Sequence, residues 1–348
     1  MDLKRFSRQI IIQDLGLEGQ YILSQSKVLI IGLGGLGCPA AIYLSLAGIG
    51  KIGLFDFDKV DITNLQRQPL YKEEDVGSYK VEAAKKNLLE YNQNLEVEIY
   101  KDVFTYEKKH LVRTYDLILD CTDTIATRKI INQVSLEENI PFIFCSLDQW
   151  SFQLALFNFR GGPCFECLYP NLEDSQMLNC IERGILGPVS GIAGVYLALE
   201  AIKFLVNLNP LNNELLYFDL LSNKNLKLKI NKNQQCLCNG YANKLNPNNQ
   251  KRKEIKISSI SLEDLSRLDS FTVIDLRESN ETTMNQKNHF KKVKQIALKE
   301  LPYKVQEIPK DEPIVVMCNS GFRAKQAATV LYELKFSKVF YLEYDPLV

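Results

Sequence analysis

Histidine is nearly missing from this chain: 348 residues contain two, His110 and His289. Histidine-based triads and multi-histidine metal sites are therefore disfavoured from the outset. An excess of one charge is missing too. Lysine plus arginine and aspartate plus glutamate stand at 42 each, so no basic field argues for nucleic acid or an anionic membrane surface. The N-terminal stretch lacks the apolar core of a secretory signal, because Arg5, Arg8 and Asp14 interrupt it, and a cytoplasmic setting is the expectation. One long uncharged run does occur, Val28 to Gly50, but six glycines and Pro39 lie within it. Each glycine in a helix interior costs about 1 kcal/mol against alanine, which argues against a membrane span.

Cysteine is plentiful. There are nine, an odd number, which in a chain read as intracellular points to thiol chemistry or metal binding rather than a disulfide framework. The length allows two domains, each with its own core.

Strand and helix signals alternate through the first 145 residues. Val28-Leu29-Ile30-Ile31 and Asp116-Leu117-Ile118-Leu119-Asp120 read as buried strands, with further strands at Lys51–Asp56, around Val97–Tyr100 and at Pro141–Cys145. Helices are expected at about Ser78–Tyr91 and Ala126–Glu138. That order predicts a mostly parallel sheet covered on both faces. Antiparallel character is expected from Trp150 to Phe159, then an apolar helix from about Val189 to Leu205 and two strands, Glu214–Leu220 and Asn225–Ile230. Residues 1–240 form the first expected domain, the polar stretch 241–256 a linker, and 257–348 a small α/β domain. In the latter, Phe271–Arg277 and Pro313–Cys318 read as buried strands, and Ala324–Leu334 as a helix.

The first strand runs into Gly32-Leu33-Gly34-Gly35-Leu36-Gly37, a turn that opens a helix and offers backbone N–H groups to a phosphate, with Gly34 and Gly35 at its centre. An acidic residue about 20 residues on, at the end of the second strand, suits a ribose, and Asp56 fits. The loop alone does not separate nicotinamide from ATP. Asn64 and Arg67, three apart just past that strand, suit a triphosphate better than a neutral nicotinamide ring. Lys80 at a helix start, Asp123 just past a buried strand and Arg8 near the N-terminus add polar groups where a nucleotide site needs them. Taken singly, each reads more readily as a solvated surface charge.

Taken jointly, these segments resemble the molybdopterin-synthase and thiazole-biosynthesis adenylyltransferases, relatives of the ubiquitin-activating enzymes. The resemblance covers nearly all of residues 1–240: Arg-Phe-Ser-Arg-Gln at 5–9, the glycine loop at 32–37, Asp-Phe-Asp at 56–58, Asn-Leu-Gln-Arg-Gln at 64–68, Lys80, and Cys-Thr-Asp at 121–123. It implies a Rossmann-like ATP-binding domain that adenylates the C-terminal glycine of a ubiquitin-like sulfur carrier. Asp56 would hold the ribose, Asn64, Arg67 and Lys80 the phosphates, and Asp123 a magnesium ion. In the family the N-terminal arginine reaches the neighbouring subunit's site, so Arg8 would act in trans within a homodimer. Thr124 departs from the usual asparagine, with an expected effect on helix capping.

Cys164-Phe165-Glu166-Cys167 and Cys236-Leu237-Cys238 supply four thiols, enough for a closed tetrahedral zinc site. The family carries two CxxC pairs here, and the CxC of this chain departs from that pattern, so unliganded cysteines stay an alternative. Cys180 matches a cysteine that in relatives can take the activated carrier as a thioester or acyl disulfide.

The second domain resembles a rhodanese through Asp275-Leu276-Arg277, His289 with Phe290, and Cys318 at the head of a six-residue loop. A cysteine among N–H groups at a helix start is expected to have a lowered pKa and to carry a persulfide. Asn319 where a basic residue is common, and Asn288-His289-Phe290-Lys291-Lys292 where Gly-His-Ile-Pro-Gly is usual, keep an inactive domain open. The implied partners are the carrier, a second copy of the chain, and a cysteine desulfurase or another persulfide donor. The carrier would serve molybdopterin synthesis, with thiazole or thiolated-tRNA synthesis as the alternative. Two rivals remain: an NAD-dependent oxidoreductase, in which Arg67, Lys80 and Asp123 would lack a purpose, and a non-catalytic binder of a ubiquitin-like protein.

Overall fold

A computed structural model describes residues 2–172, 184–241, 257–278, 281, 290–336 and 338–342. Cys180, His289 and most of the expected linker lie outside the described residues. The chain divides into two compact units, residues 23–250 and residues 1–22 together with 251–348.

The larger unit is built on an eight-stranded sheet in the order β3-β2-β1-β4-β5-β6-β7-β8. Its strands are β1 (Lys27–Ile31), β2 (Lys51–Phe55), β3 (Glu96–Tyr100), β4 (Leu117–Asp120), β5 (Phe142–Asp148), β6 (Ser151–Phe157), β7 (Glu214–Asp219) and β8 (Lys224–Lys229). Pairing is parallel from β3 to β5 and antiparallel from β5 to β8, where the shift near Trp150 was expected. Strands β1 and β4 are apolar runs because helices cover both their faces. Gly187–Leu205 is long and apolar enough to cross a membrane by length and composition. It packs instead against Gly37–Ala47 and against β4, β5 and β6, and carries the ion pair Glu200–Lys203. On one side of the sheet Phe144 meets both Phe157 and Phe165, with centroids 5.9 and 5.4 Å away. Thr124 caps the helix Ile125–Glu138 by accepting from the Thr127 N–H at 3.3 Å, the capping role read from the sequence.

The smaller unit holds a five-stranded parallel sheet, β11-β10-β12-β13-β9. These are β9 (Ser259–Ile260), β10 (Thr272–Asp275), β11 (Val293–Gln295), β12 (Ile314–Met317) and β13 (Val339–Leu342). The two strands legible in the sequence, β10 and β12, are its buried centre. Strand β9 has two residues and β11 is exposed along its length, so neither carries a hydrophobic pattern.

Candidate active site

The sheet of the larger unit decides where its polar groups gather. Ile31 pairs with Phe55 on one side and Asp120 on the other, so β1, β2 and β4 end together and their following loops share one edge. The strand order reverses beside β1, which is where open α/β sheets leave a crevice for ligands.

The glycine loop fits that crevice because side chains would not. Gly32 has φ +94°, and a Cβ there would lie 2.6 Å from the Cys121 carbonyl oxygen; a Cβ on Gly37 would lie 2.0 Å from the Gly32 oxygen. Asp56, just past β2, accepts from the Leu33 N–H at 2.7 Å and the Asp58 N–H at 2.8 Å. Its carboxyl is therefore fixed against the loop. Burial pushes its pKa up, opposed by Lys80 and the two N–H groups. The Lys80 side chain is buried, and its ammonium lies 2.8 Å from Asp58 Oδ2. Asp58 was not singled out as a site residue in the sequence; the signal was the second acid of Asp-Phe-Asp.

Asn64 closes a capping box with Asp61, accepting from the Asp61 N–H at 3.1 Å, and Arg67 Nη1 donates to the Thr63 carbonyl at 2.9 Å. Both stay partly exposed on a single turn that leads to Gln68, whose side chain is buried beside Gly34. Asp123 is exposed at the end of β4. The turn that carries it is braced from below. Asp120 accepts from the N–H and hydroxyl of Thr122 at 3.1 and 2.7 Å, and Arg128 Nη2 donates to the Thr122 carbonyl at 2.6 Å. Asp120 Oδ2 and Arg128 Nε face each other at 3.8 Å, and the guanidinium lies over Phe144 at 4.9 Å. Burial raises the Asp120 pKa, with Arg128 pulling it back. The sequence reading missed this brace, although Asp-x-Thr at a strand end is a recognisable turn pattern.

Three thiols here are structural. Cys38, Cys121 and Cys145 are buried, and burial pushes Cys38 up to about 12 and raises the other two as well. Cys164, Cys167, Cys236 and Cys238 are different, for their sulfurs all lie within 4.8 Å of one another. Sulfur separations of 3.4 Å (164–236), 3.5 Å (167–238) and 3.8 Å (164–167) compare with about 3.8 Å for thiolates tetrahedrally placed about 2.3 Å from one zinc. The CxC spacing thus delivers both sulfurs to the cluster. Burial raises Cys164 and Cys238, the latter to about 12, whereas Cys167, despite burial, is drawn down by backbone N–H groups of Cys164 and Asn233.

In the smaller unit Cys318 follows β12 and leads into the helix Phe322–Glu333, with the Ala324 N–H donating to its sulfur at 3.3 Å. Gly321, at φ +73°, makes the turn. Asp275 and Arg277 form a buried two-point pair, Nε to Oδ1 and Nη2 to Oδ2 both at 2.9 Å, which fixes the chain as it leaves β10. Arg323 is held by Glu281 through bonds of 3.0 and 2.8 Å, and this pairing raises the arginine's pKa. Glu281 was not among the residues read from the sequence. Arg8 and Cys318 belong to this unit, whereas the glycine loop, Asp56, Asn64, Arg67, Lys80 and Asp123 belong to the larger one.

A Rossmann-like domain with a glycine-rich loop and a small α/β domain with a cysteine-headed loop define the class. The chain belongs to the ThiF family, whose profile matches residues 6–239, and residues 261–345 match the rhodanese-like domain. "Adenylyltransferase and sulfurtransferase MOCS3" of Aedes aegypti is 40% identical over 242 residues, 68% of this chain and 55% of that protein. The protein of the same name from Drosophila ananassae is 42% identical over 221 residues, 63% of this chain and 49% of its own. The matches thus span about half the length of these relatives. Among solved structures, E. coli MccB with ATP has a TM-score of 0.60 at 25% identity, covering 67% of this chain and 74% of that one.

Proposed function

We propose that this protein is an ATP-dependent adenylyltransferase of a ubiquitin-like sulfur carrier, joined to a sulfurtransferase domain. The observation that carries the reading is the shared edge where β1, β2 and β4 end, which gathers the glycine loop, Asp56 and Asp123 while Lys80 is tied to Asp58. The likeness to the curated adenylyltransferase and sulfurtransferase relatives supports it. Asp56 would bind the ATP ribose, Gly34 and Gly35 the phosphates through their backbone, and Asn64, Arg67 and Lys80 the phosphate charge. Asp123 would hold magnesium, which supplies positive charge to the phosphates when bound. The carrier's terminal carboxylate attacks the α-phosphorus, an oxygen–phosphorus bond forms, and pyrophosphate leaves. An ionised carboxylate needs no general base, so preorganised cations suffice and the scarcity of histidine is no obstacle.

The carrier we favour serves molybdopterin synthesis, with carriers for thiazole or tRNA thiolation as competitors. ATP–pyrophosphate exchange against a panel of such carriers tests the reading: exchange should appear with one carrier and require magnesium. Absence of exchange with every ubiquitin-like carrier would leave the binder alternative. Cys318 would carry the sulfur as a persulfide from a cysteine desulfurase or similar donor; its outer sulfur would attack the acyl adenylate and release AMP, and the Cys180 thiol would then displace the carrier thiocarboxylate from the acyl disulfide, leaving the two cysteines as a disulfide. The setting is cytoplasmic, where thiols stay reduced.

A homodimer would follow from Arg8 acting in trans, and an apolar stripe left exposed among the described residues supports it. Ile192, Val195 and Leu199 stand exposed on one face of Gly187–Leu205, and Tyr43 and Leu46 are exposed on the helix packed beside it. Inactive Arg8→Ala and Asp123→Ala chains, mixed, should regain exchange, because a mixed dimer has one site with both residues. Leu199→Asp should make the protein monomeric in sedimentation and abolish that rescue. No rescue despite demonstrated subunit exchange would rule out action in trans.

Zinc is the metal that suits four thiolates at these separations. We expect about one zinc per chain by elemental analysis. The double change Cys236→Ser with Cys238→Ser should remove the metal and lower the unfolding temperature of residues 23–250, since buried Cys164 and Cys238 sit in that cluster. Zinc retained by the double variant would refute the ligand set.

A further inference from the structure

Residues 2–17 precede the nucleotide-binding domain in sequence, and the ThiF profile takes in all of them from residue 6. Their packing partner is nevertheless the rhodanese-like sheet. Leu3, Phe6, Ile10 and Leu17 are buried in one apolar cluster with Ile274, Leu276, Leu301, Ile308, Val316 and Val330. Two contacts outside that cluster fix the segment against different helices. Ser7 Oγ lies 2.8 Å from the Tyr303 hydroxyl on Leu301–Lys304. Gly16, at φ +62°, passes so close to Gln326 on Phe322–Glu333 that a Cβ would lie 3.3 Å from its Oε1.

The pattern of exposure within the segment is also ordered. Positions 3, 6 and 10 follow helical spacing and face inward, while Arg5 and Arg8 are exposed. The turn of helix Ser7–Ile10 keeps Arg8 on the outer side. A backbone anchored by four buried side chains on a folded domain has already given up most of its conformational freedom. An arginine displayed from it therefore reaches a phosphate with less ordering cost than one on a free chain end.

We propose that residues 2–17 are a docked layer of the rhodanese-like domain, and that this domain thereby prepares Arg8 for the adenylation step. The second half rests on the adenylyltransferase reading, with Arg8 as a phosphate-binding cation. The sulfur-transfer domain then contributes to the first half-reaction without touching ATP itself, by holding the segment that carries one of its cations.

The test uses the full chain and the variant Phe6→Ala. Deleting a buried ring from the segment should accelerate amide hydrogen exchange in β12 at least tenfold and leave β1 unchanged. Pyrophosphate exchange should fall at least fivefold. Arg8→Ala should lower pyrophosphate exchange while β12 keeps its wild-type protection, which separates the cation from its mounting. Unchanged β12 protection in Phe6→Ala, or equal acceleration of β1, overturns the docking. Weakened β12 with full pyrophosphate exchange overturns the functional half. Should Phe6→Ala fail to fold, Ser7→Ala, which deletes only the bond to Tyr303, should show the same order of effects at about threefold. A wild-type protein without pyrophosphate exchange would sink the adenylyltransferase reading, and the hydrogen-exchange result would still decide the docking.

Discussion

Asp123→Ala should lose ATP–pyrophosphate exchange by about a hundredfold to a thousandfold, the scale for removing one preorganised charge-stabilising group. The loss should be specific. Asp123 is exposed at the end of β4, and substitutions at such positions change stability by within about 0.5 kcal/mol, so the unfolding temperature should hold. Asp123→Asn, which keeps the shape and removes the charge, should fall nearly as far, because the charge is what would hold magnesium. Arg128→Ala offers a graded comparison: it removes the bond to the Thr122 carbonyl and leaves buried Asp120 facing no cation, so exchange and stability should decline together. Wild-type exchange in Asp123→Ala would end the assignment of this carboxylate to the metal.

The second large effect separates the two domains' chemistry. Cys318→Ala should leave pyrophosphate exchange intact and reduce carrier thiocarboxylate formation to background when a persulfide donor is supplied. Adenylation needs ATP and a carboxylate but no sulfur, whereas thiocarboxylate formation needs a nucleophilic sulfur delivered to the acyl adenylate. The exchanged group is one sulfur atom, so Cys318→Ser, with the same shape and no thiol, should behave as the alanine variant does. Asp123→Ala should stop both steps. Thiocarboxylate made at the wild-type rate by Cys318→Ala would make the rhodanese-like domain a mounting for residues 2–17 rather than a sulfur carrier.

The parallel strands β1, β2 and β4, the glycine loop and the acidic residue at the end of β2 were legible from residues alone, because each depends on neighbours within a few positions. A strand buried on both faces must be apolar throughout, and a turn that places the Gly32 backbone against Cys121 admits no side chain. The capping role of Thr124 was legible for the same local reason. The short strands β9 and β11 were not, since two or three residues hold no periodicity. Four cysteines could be counted in the sequence, but their convergence across 72 residues could not be measured there.

The sequence by itself therefore determined the α/β class, the nucleotide loop and the cysteine-headed turn at Cys318, all features written in contiguous residues. Only the tertiary structure decided that Lys80 pairs with Asp58, that Asp120 and Arg128 brace the turn bearing Asp123, and that Glu281 holds Arg323. It alone assigned Leu3, Phe6 and Ile10 to the core of a domain that begins some 250 positions later. An apolar stripe announces in sequence that it will be buried; which surface buries it depends on shape and complementarity between segments that sequence distance does not encode.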